Sequence, residues 1–269
     1  MKSIACCVTI LLLMLAVGCA DSIILHPSTS PRNPSGAQRR TLPFKTGQLE
    51  IWIARSPGCA GRDPQAYLLE FTGNATRAEE VATYVANRMK DRPIEVWMVN
   101  YPGFGGSTGP ARLVSIPPAA LAAFDALRQV AGDRPILIAG NSIGTAAALY
   151  TAAHHPCAGM ILQNPPPLRQ LLMARYGWWN LWLISTPLAM QVPSKLDSIT
   201  NASNIHAPAI FVVADSDQLV TTHYKQKIID AYSGPKRTIV LRGGTHNTAT
   251  DVSAAEFQQA LEWLWPQLR

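Results

Sequence analysis

The chain has 269 residues, 48% of them hydrophobic and 15% charged, and 23 Lys and Arg against 17 Asp and Glu give a formal net charge of +6. That length buries a sizeable core and that composition is globular, which excludes a disordered or fibrous chain. The positive charge has no cluster beyond Arg39-Arg40 and no basic stripe interleaved with aromatics, which argues against nucleic-acid binding and leaves weak attraction to an anionic membrane surface.

At the start, Lys2 precedes an apolar run from Ile4 to Val17 and small residues lead to Gly18-Cys19. A run this short after a basic start predicts a secretory signal peptide over 1–18, not a spanning helix. The ending Leu15-Ala16-Val17-Gly18-Cys19 resembles a bacterial lipobox, which implies lipidation of Cys19 as the new N-terminus; a plain signal peptide cut near Ala20 is the alternative. In a Gram-negative host, Ala20 after the cysteine implies sorting to the outer membrane. The expected protein is thus exported and held at a membrane through its N-terminus. His26 to Thr46, rich in Pro, Ser, Arg and Gly, completes an expected lipid-anchored tether over 19–46, and the folded domain is expected over 47–269.

Within it, apolar runs and helical spacings alternate. Leu49–Ile53, Tyr67–Phe71, Ile94–Val99, Ile136–Ala139, Ala158–Gln163, Pro208–Ala214 and Arg237–Leu241 read as strands. Arg77–Met89, Ile116–Val130, the stretch from Ile143 to His155, Thr221–Tyr232 and Val252–Leu268 read as helices. Regular alternation predicts an α/β fold, a mostly parallel central sheet flanked by helices. About forty residues interrupt the rhythm at about 165–205, opening with Pro165-Pro166-Pro167 and carrying Trp178, Trp179, Trp182, Leu183 and Met190. Cys59 and Cys157 both precede strands, at the amino-end face of such a sheet; a disulfide between them is geometrically open, and neither has a neighbour at metal-ligand spacing.

Gly140-Asn141-Ser142-Ile143-Gly144 lies between the strand Ile136–Ala139 and a run of small helix-forming residues. A strand-to-helix turn with this G-x-S-x-G spacing forces the serine into a strained backbone that lifts its hydroxyl clear of the sheet. A serine hydroxyl needs a base, and the base needs an orienting partner. Ser142, Asp217 and His246 each follow a strand at its carboxyl end, in the chain order Ser, Asp, His.

From about Leu49 onward the chain resembles the α/β-hydrolase family. The elbow matches as Gly140 to Gly144, Asp215-Ser216-Asp217-Gln218-Leu219-Val220 looks like the family's acid loop, and Gly243-Gly244-Thr245-His246-Asn247 looks like its histidine loop. Phe71-Thr72-Gly73-Asn74-Ala75 is similar to the oxyanion turn of the subgroup that includes the Bem46-like hydrolases, with Thr72 in place of the usual His, and Asn100 to Ser107 resembles that subgroup's next loop. The resemblance implies an α/β-hydrolase fold with a cap inserted between strands 6 and 7. It also implies Ser142 as nucleophile, His246 as base and Asp217 as orienting acid. Asp217 is preferred over Asp215 because Gln-Leu-Val follows it, and Asp215 then reads as a turn residue bonding its own backbone. Backbone N–H groups of Ile143 and Asn74 would hold the oxyanion; Asn74 has a second reading as the cap of the helix that follows.

The expected chemistry is serine hydrolysis of esters or thioesters through an acyl-enzyme, on a small-molecule or lipid acyl substrate. No cofactor, metal or nucleic acid is expected. Two other readings stay open: a peptidase or amidase on the same three residues, and a catalytically idle, membrane-tethered binding protein of this fold. For the cap there are three: an acyl pocket, a small core of its own, or a segment dipping into the membrane interface.

Overall fold

The structure is a computed structural model that describes residues 19–177, 183 and 185–268. The expected signal peptide at 1–18 and Trp178, Trp179 and Trp182 of the insertion lie outside the described residues.

Eight strands form one sheet: β1 (Gln38–Phe44), β2 (Gly47–Arg55), β3 (Ala66–Phe71), β4 (Ile94–Asn100), β5 (Ile136–Asn141), β6 (Gly159–Gln163), β7 (Ala209–Ala214) and β8 (Lys236–Leu241). Their spatial order is β1-β2-β4-β3-β5-β6-β7-β8. The first two pairings are antiparallel, and every later one is parallel. β4 and β7 are buried along their whole length, as expected of central parallel strands covered on both faces.

The helices are α1 (Cys19–Ile24), α2 (Ala78–Arg88), α3 (Ile116–Ala131), α4 (Ile143–His154), α5 (Leu168–Gly177), α6 (Ser185–Met190), α7 (Ser198–Ala202), α8 (Thr222–Ala231) and α9 (Ala254–Leu264). Side chains alternate across each strand, so Leu69, Phe71 and Val99 join one apolar layer with α3, α4 and α8. Leu68, Val96 and Met98 join the other, with α2 and α9. Parallel connectivity brings the loops after β3, β5, β7 and β8 to one edge of the sheet.

Between β6 and β7 run α5, α6, a 3-10 turn over Ser194–Leu196 and α7. Their inward residues Leu168, Leu172, Leu188, Val192 and Leu196 belong to the main core. Among the described residues the insertion is therefore continuous with the domain and has no separate core.

The segment 19–46 differs from the expected tether. Gln38–Phe44 pairs with β2 in the register Leu42↔Leu49 and Thr41↔Glu50. As an edge strand it buries little besides Leu42, so it lacks the apolar alternation that announces a strand. Arg39 bonds Glu50 at 2.6 Å, the Arg40 guanidinium lies 4.8 Å from the Trp97 ring centroid, and Pro43 is tolerated because an edge position needs no N–H there. Upstream, Ala20 and Leu25 are buried in the core. Cys59 and Cys157 are free thiols; Cys59 Sγ contacts the Ile94 carbonyl at 3.5 Å.

Candidate active site

At the end of β5 the chain turns into α4 through Ser142, whose φ of 52° and ψ of −126° lie where L side chains are rarely found. The turn closes because two glycines stand where strand and helix nearly touch. A Cβ on Gly140 would lie 2.5 Å from the Gly144 carbonyl carbon, and one on Gly144 would fall on the Phe71 carbonyl oxygen. Ser142 N donates to Gln163 O at 2.9 Å, and the Ser142 carbonyl accepts from Thr145 Oγ1 at 2.7 Å. The hydroxyl is thereby fixed above the sheet edge.

Asp217 sits in the loop between β7 and α8 with its side chain fully buried. Its Oδ1 accepts from the N–H groups of Leu219 and Val220, each at 2.9 Å. Its Oδ2 accepts from His246 Nδ1 and from Lys225 Nζ, each at 2.8 Å. Burial by itself favours the neutral acid; the hydrogen bonds from His246, Lys225 and Val220 outweigh it and hold the carboxyl at about 2. The backbone-bonding acid of this loop is therefore Asp217. Asp215, expected in that role, is exposed and accepts from Ser216 Oγ at 3.1 Å.

His246 follows β8, and its Nε2 lies 2.8 Å from Ser142 Oγ. With Nδ1 donating to the Asp217 carboxylate, Nε2 is left to accept the serine hydroxyl proton. Asn164 stitches this loop to the sheet: fully buried, it donates Nδ2 to the His246 carbonyl at 3.1 Å and accepts from Ala214 N at 2.9 Å. Gln163 Nε2 adds a bond to Thr248 O at 3.1 Å.

Neither Lys225 nor Asn164 stands out in the sequence. Lys225 reads as the solvated face of a helix, yet it is fully buried and also donates to Ala214 O at 2.6 Å. For Asn164 the one local cue is a polar residue directly after an apolar strand.

Beyond β3, Gly73 lies against the elbow: the atoms nearest its absent Cβ are Asn141 O at 3.5 Å and Ser142 Cβ at 3.6 Å. The N–H of Asn74 has no acceptor among the described residues, and that of Ile143, first residue of α4, has none within its helix. Both are free to face developing negative charge. The Asn74 side chain does not cap α2, which starts only at Ala78. Asn100 Oδ1 accepts from Ala78 N at 2.9 Å instead, and Asn74 Oδ1 accepts from His26 N at 2.8 Å.

That last bond belongs to a strap formed by the N-terminal segment across the same edge. Ala20 N donates to Gln191 Oε1 at 3.2 Å, and Leu113 N to Asp21 Oδ1 at 2.8 Å. Ser28 O accepts from Gly105 N at 2.9 Å and from Arg77 Nη1 at 2.6 Å. Beneath it, Arg77 pairs with Glu79, while Asn100 Nδ2 donates to Glu50 Oε2 at 2.7 Å and Glu79 Oε2 at 2.9 Å. Buried charges of both signs thus brace the loops after β3 and β4, with the Arg77 Nη groups and the Glu50 and Glu79 carboxylates paired and Arg77 Nε left without a partner among the described residues.

Of the remaining histidines, His154 Nδ1 bonds the Tyr150 carbonyl at 2.8 Å in the last turn of α4, and His155 stacks on Phe124. Among the described residues no group of three or more His, Cys, Asp or Glu side chains is arranged to hold a metal ion, and no helix is long and apolar enough to cross a membrane.

The uncharacterized protein Rv2307c of Mycobacterium tuberculosis (strain H37Rv) is 28% identical over 157 residues, covering 57% of this chain and 53% of that protein. The chain thus spans about half the length of the curated relatives it matches. Among solved structures, Est1E from Butyrivibrio proteoclasticus with ferulic acid bound superposes with a TM-score of 0.70 at 14% identity, over 85% of this chain and 98% of that one. XC6422 from Xanthomonas campestris, described as an α/β serine hydrolase without lid, gives 0.61 at 14% identity, over 87% and 96%. At such identities the likeness establishes the fold alone. Residues 61–200, more than half of the sequence, match the alpha/beta hydrolase family, and with an eight-stranded, mostly parallel sheet of this order the chain belongs to that family.

Proposed function

We propose that the chain is a serine hydrolase of carboxylic esters or thioesters, with Ser142 as nucleophile, His246 as general base and acid, and Asp217 as the orienting acid. The observation that carries this reading is the unbroken chain Ser142 Oγ, His246 Nε2, His246 Nδ1, Asp217 Oδ2, closed by two hydrogen bonds of 2.8 Å. Ser142 attacks the acyl carbonyl while His246 takes its proton, Asp217 stabilises the imidazolium, and His246 returns the proton to the leaving group. Water activated by His246 then releases the acyl group. The N–H groups of Ile143 and Asn74 receive the oxyanion, a contribution worth about a hundredfold or more in rate per donor. Family membership and a serine-hydrolase structural neighbour support the hydrolytic class.

The oxyanion turn supports placement beside the Bem46-like hydrolases, and the lipobox-like sequence supports export with Cys19 lipidated and the domain held at a membrane. A fluorophosphonate probe tests the chemistry: it labels the wild type and leaves Ser142→Ala and His246→Ala unmarked. Labelling that persists in Ser142→Ala refutes the assignment. Absence of labelling in a folded wild type favours the idle binding protein, and p-nitrophenyl esters of increasing chain length then define the acyl pocket of an active enzyme.

A further inference from the structure

Lys225 has no part in the reaction just described, yet it is the most conspicuous charged group near it. Its side chain is fully buried and its ammonium shares one oxygen, Asp217 Oδ2, with the imidazole of His246, each at 2.8 Å. It reaches that oxygen from the first turns of α8, and its second bond, to the Ala214 carbonyl at the end of β7, fixes it across the base of the acid loop. A buried ion pair adds little stability over apolar side chains of similar shape, so packing alone gives no account of a lysine here.

We propose that Lys225 is a positioning residue that balances the charge of Asp217, and thereby sets how much of that carboxylate's field reaches His246. The proposal rests on the reading of Ser142, His246 and Asp217 as the reacting unit. The ionised groups facing Lys225 are Asp217 and, more distantly, the exposed Asp215 of the same loop; facing Asp217 are His246 and Lys225. Burial pushes the ammonium down and the two carboxylates pull it back up. Lys225 and His246 meet across a single oxygen inside the protein, where screening by water is weak. A positive Lys225 therefore opposes charging of the imidazole and favours the neutral, proton-accepting form that attack by Ser142 requires. The same bond keeps Oδ2 aimed at Nδ1, while the Leu219 and Val220 N–H groups fix Oδ1.

The sign of the effect follows. Removing the cation leaves the whole carboxylate charge to the imidazolium, so the acid limb of kcat/KM moves to higher pH, by about one unit for a like charge lost at this range. Two variants separate charge from shape. Lys225→Met keeps the length of the side chain and removes both charge and donor; Lys225→Gln keeps an N–H donor without charge. The measurements are the pH profile of kcat/KM on p-nitrophenyl acetate and the titration midpoint of His246 by NMR, the second of which reads the full chain whether or not it turns over. The expected result is an upward shift of the His246 midpoint in both variants, matched by the acid limb. A midpoint within about 0.2 unit of wild type in either folded variant, with only thermal stability lowered, overturns the proposal and leaves Lys225 a structural residue. A wild type that neither hydrolyses esters nor takes the fluorophosphonate refutes the proposed activity instead, and the NMR midpoints still decide the role of Lys225.

Discussion

Gly144 in the first turn of α4 and Phe71 at the end of β3 approach so closely that no atom larger than hydrogen fits between the glycine Cα and the Phe71 carbonyl oxygen. The obstacle is backbone, in the strand that leads into the Gly73-Asn74 turn, and cannot swing aside as a flexible side chain would. Gly144→Ala is expected to cost about 1–3 kcal/mol, the usual scale for overpacking, and to slow fluorophosphonate labelling because β3 and α4 must separate. Urea denaturation checks the first part; an unchanged midpoint would remove the close packing from the account of the elbow.

Ser142 holds its backbone in a region that glycine occupies readily and other residues do not. Such strain costs of order 1–3 kcal/mol, offset by the 0.5–1 kcal/mol of chain entropy that glycine loses on folding. Ser142→Gly and Ser142→Ala both lack the hydroxyl and differ mainly in this respect. The glycine variant is therefore expected to be more stable than the alanine one by about 1 kcal/mol, with neither taking the probe. Equal stabilities would mean the elbow is not strained.

Asn74 places its backbone N–H beside the elbow while its side chain is tied to the N-terminal strap through His26. Asn74→Ala retains the N–H and loses only the tie, a hydrogen bond worth about 1 kcal/mol. A fall in kcat of about five- to tenfold with KM unchanged is expected on p-nitrophenyl acetate. An effect confined to KM would move Asn74 from oxyanion support to substrate binding.

Asp217 is held at about 2 in the folded chain, against about 3.9 for a free aspartate. The depressed group contributes stability that is complete above about pH 4 and is lost as pH falls through the interval down to about 2, some 2 kcal/mol in all. Glu50, lowered by hydrogen bonds from Gly106, Asn100 and Arg39 that overcome its burial, acts with the same sign. Wild type should therefore lose thermal stability steeply between pH 4 and 2.5. Asp217→Asn, less stable at pH 7, should show a shallower acid decline, and parallel curves would deny the carboxylate this role.

The strands of the central sheet and the shared edge of Ser142, Asp217 and His246 are legible because each depends on neighbours in sequence: an apolar run marks a buried strand, and a reactive residue a few positions later marks its exit. Contacts made across the chain leave no such trace. β1 hides because an edge strand with Arg39, Arg40 and Pro43 carries no alternating pattern, and its partner is visible only once β2 is in place. Lys225 follows Tyr224 and precedes Gln226 and Lys227 in a helix whose spacing gives no hint that this one cation turns inward. Asn74 reads equally well as a helix cap, since its true partner, His26, is 48 positions away.

The docked N-terminal segment bears on geometry as well as on the Gly73-Asn74 turn. A flexible chain from 19 to 46 would let its domain wander roughly 30 Å from a point of attachment. Here the leash has almost no slack: Ala20 is already bonded to Gln191 at the end of α6, one residue from Cys19. An acyl group carried by Cys19 would thus hold the domain close to whatever surface takes the lipid, and not merely give it an address. Lengthening the chain between Cys19 and Ala20 with a glycine-serine insert would restore that slack while leaving hydrolysis of water-soluble esters intact.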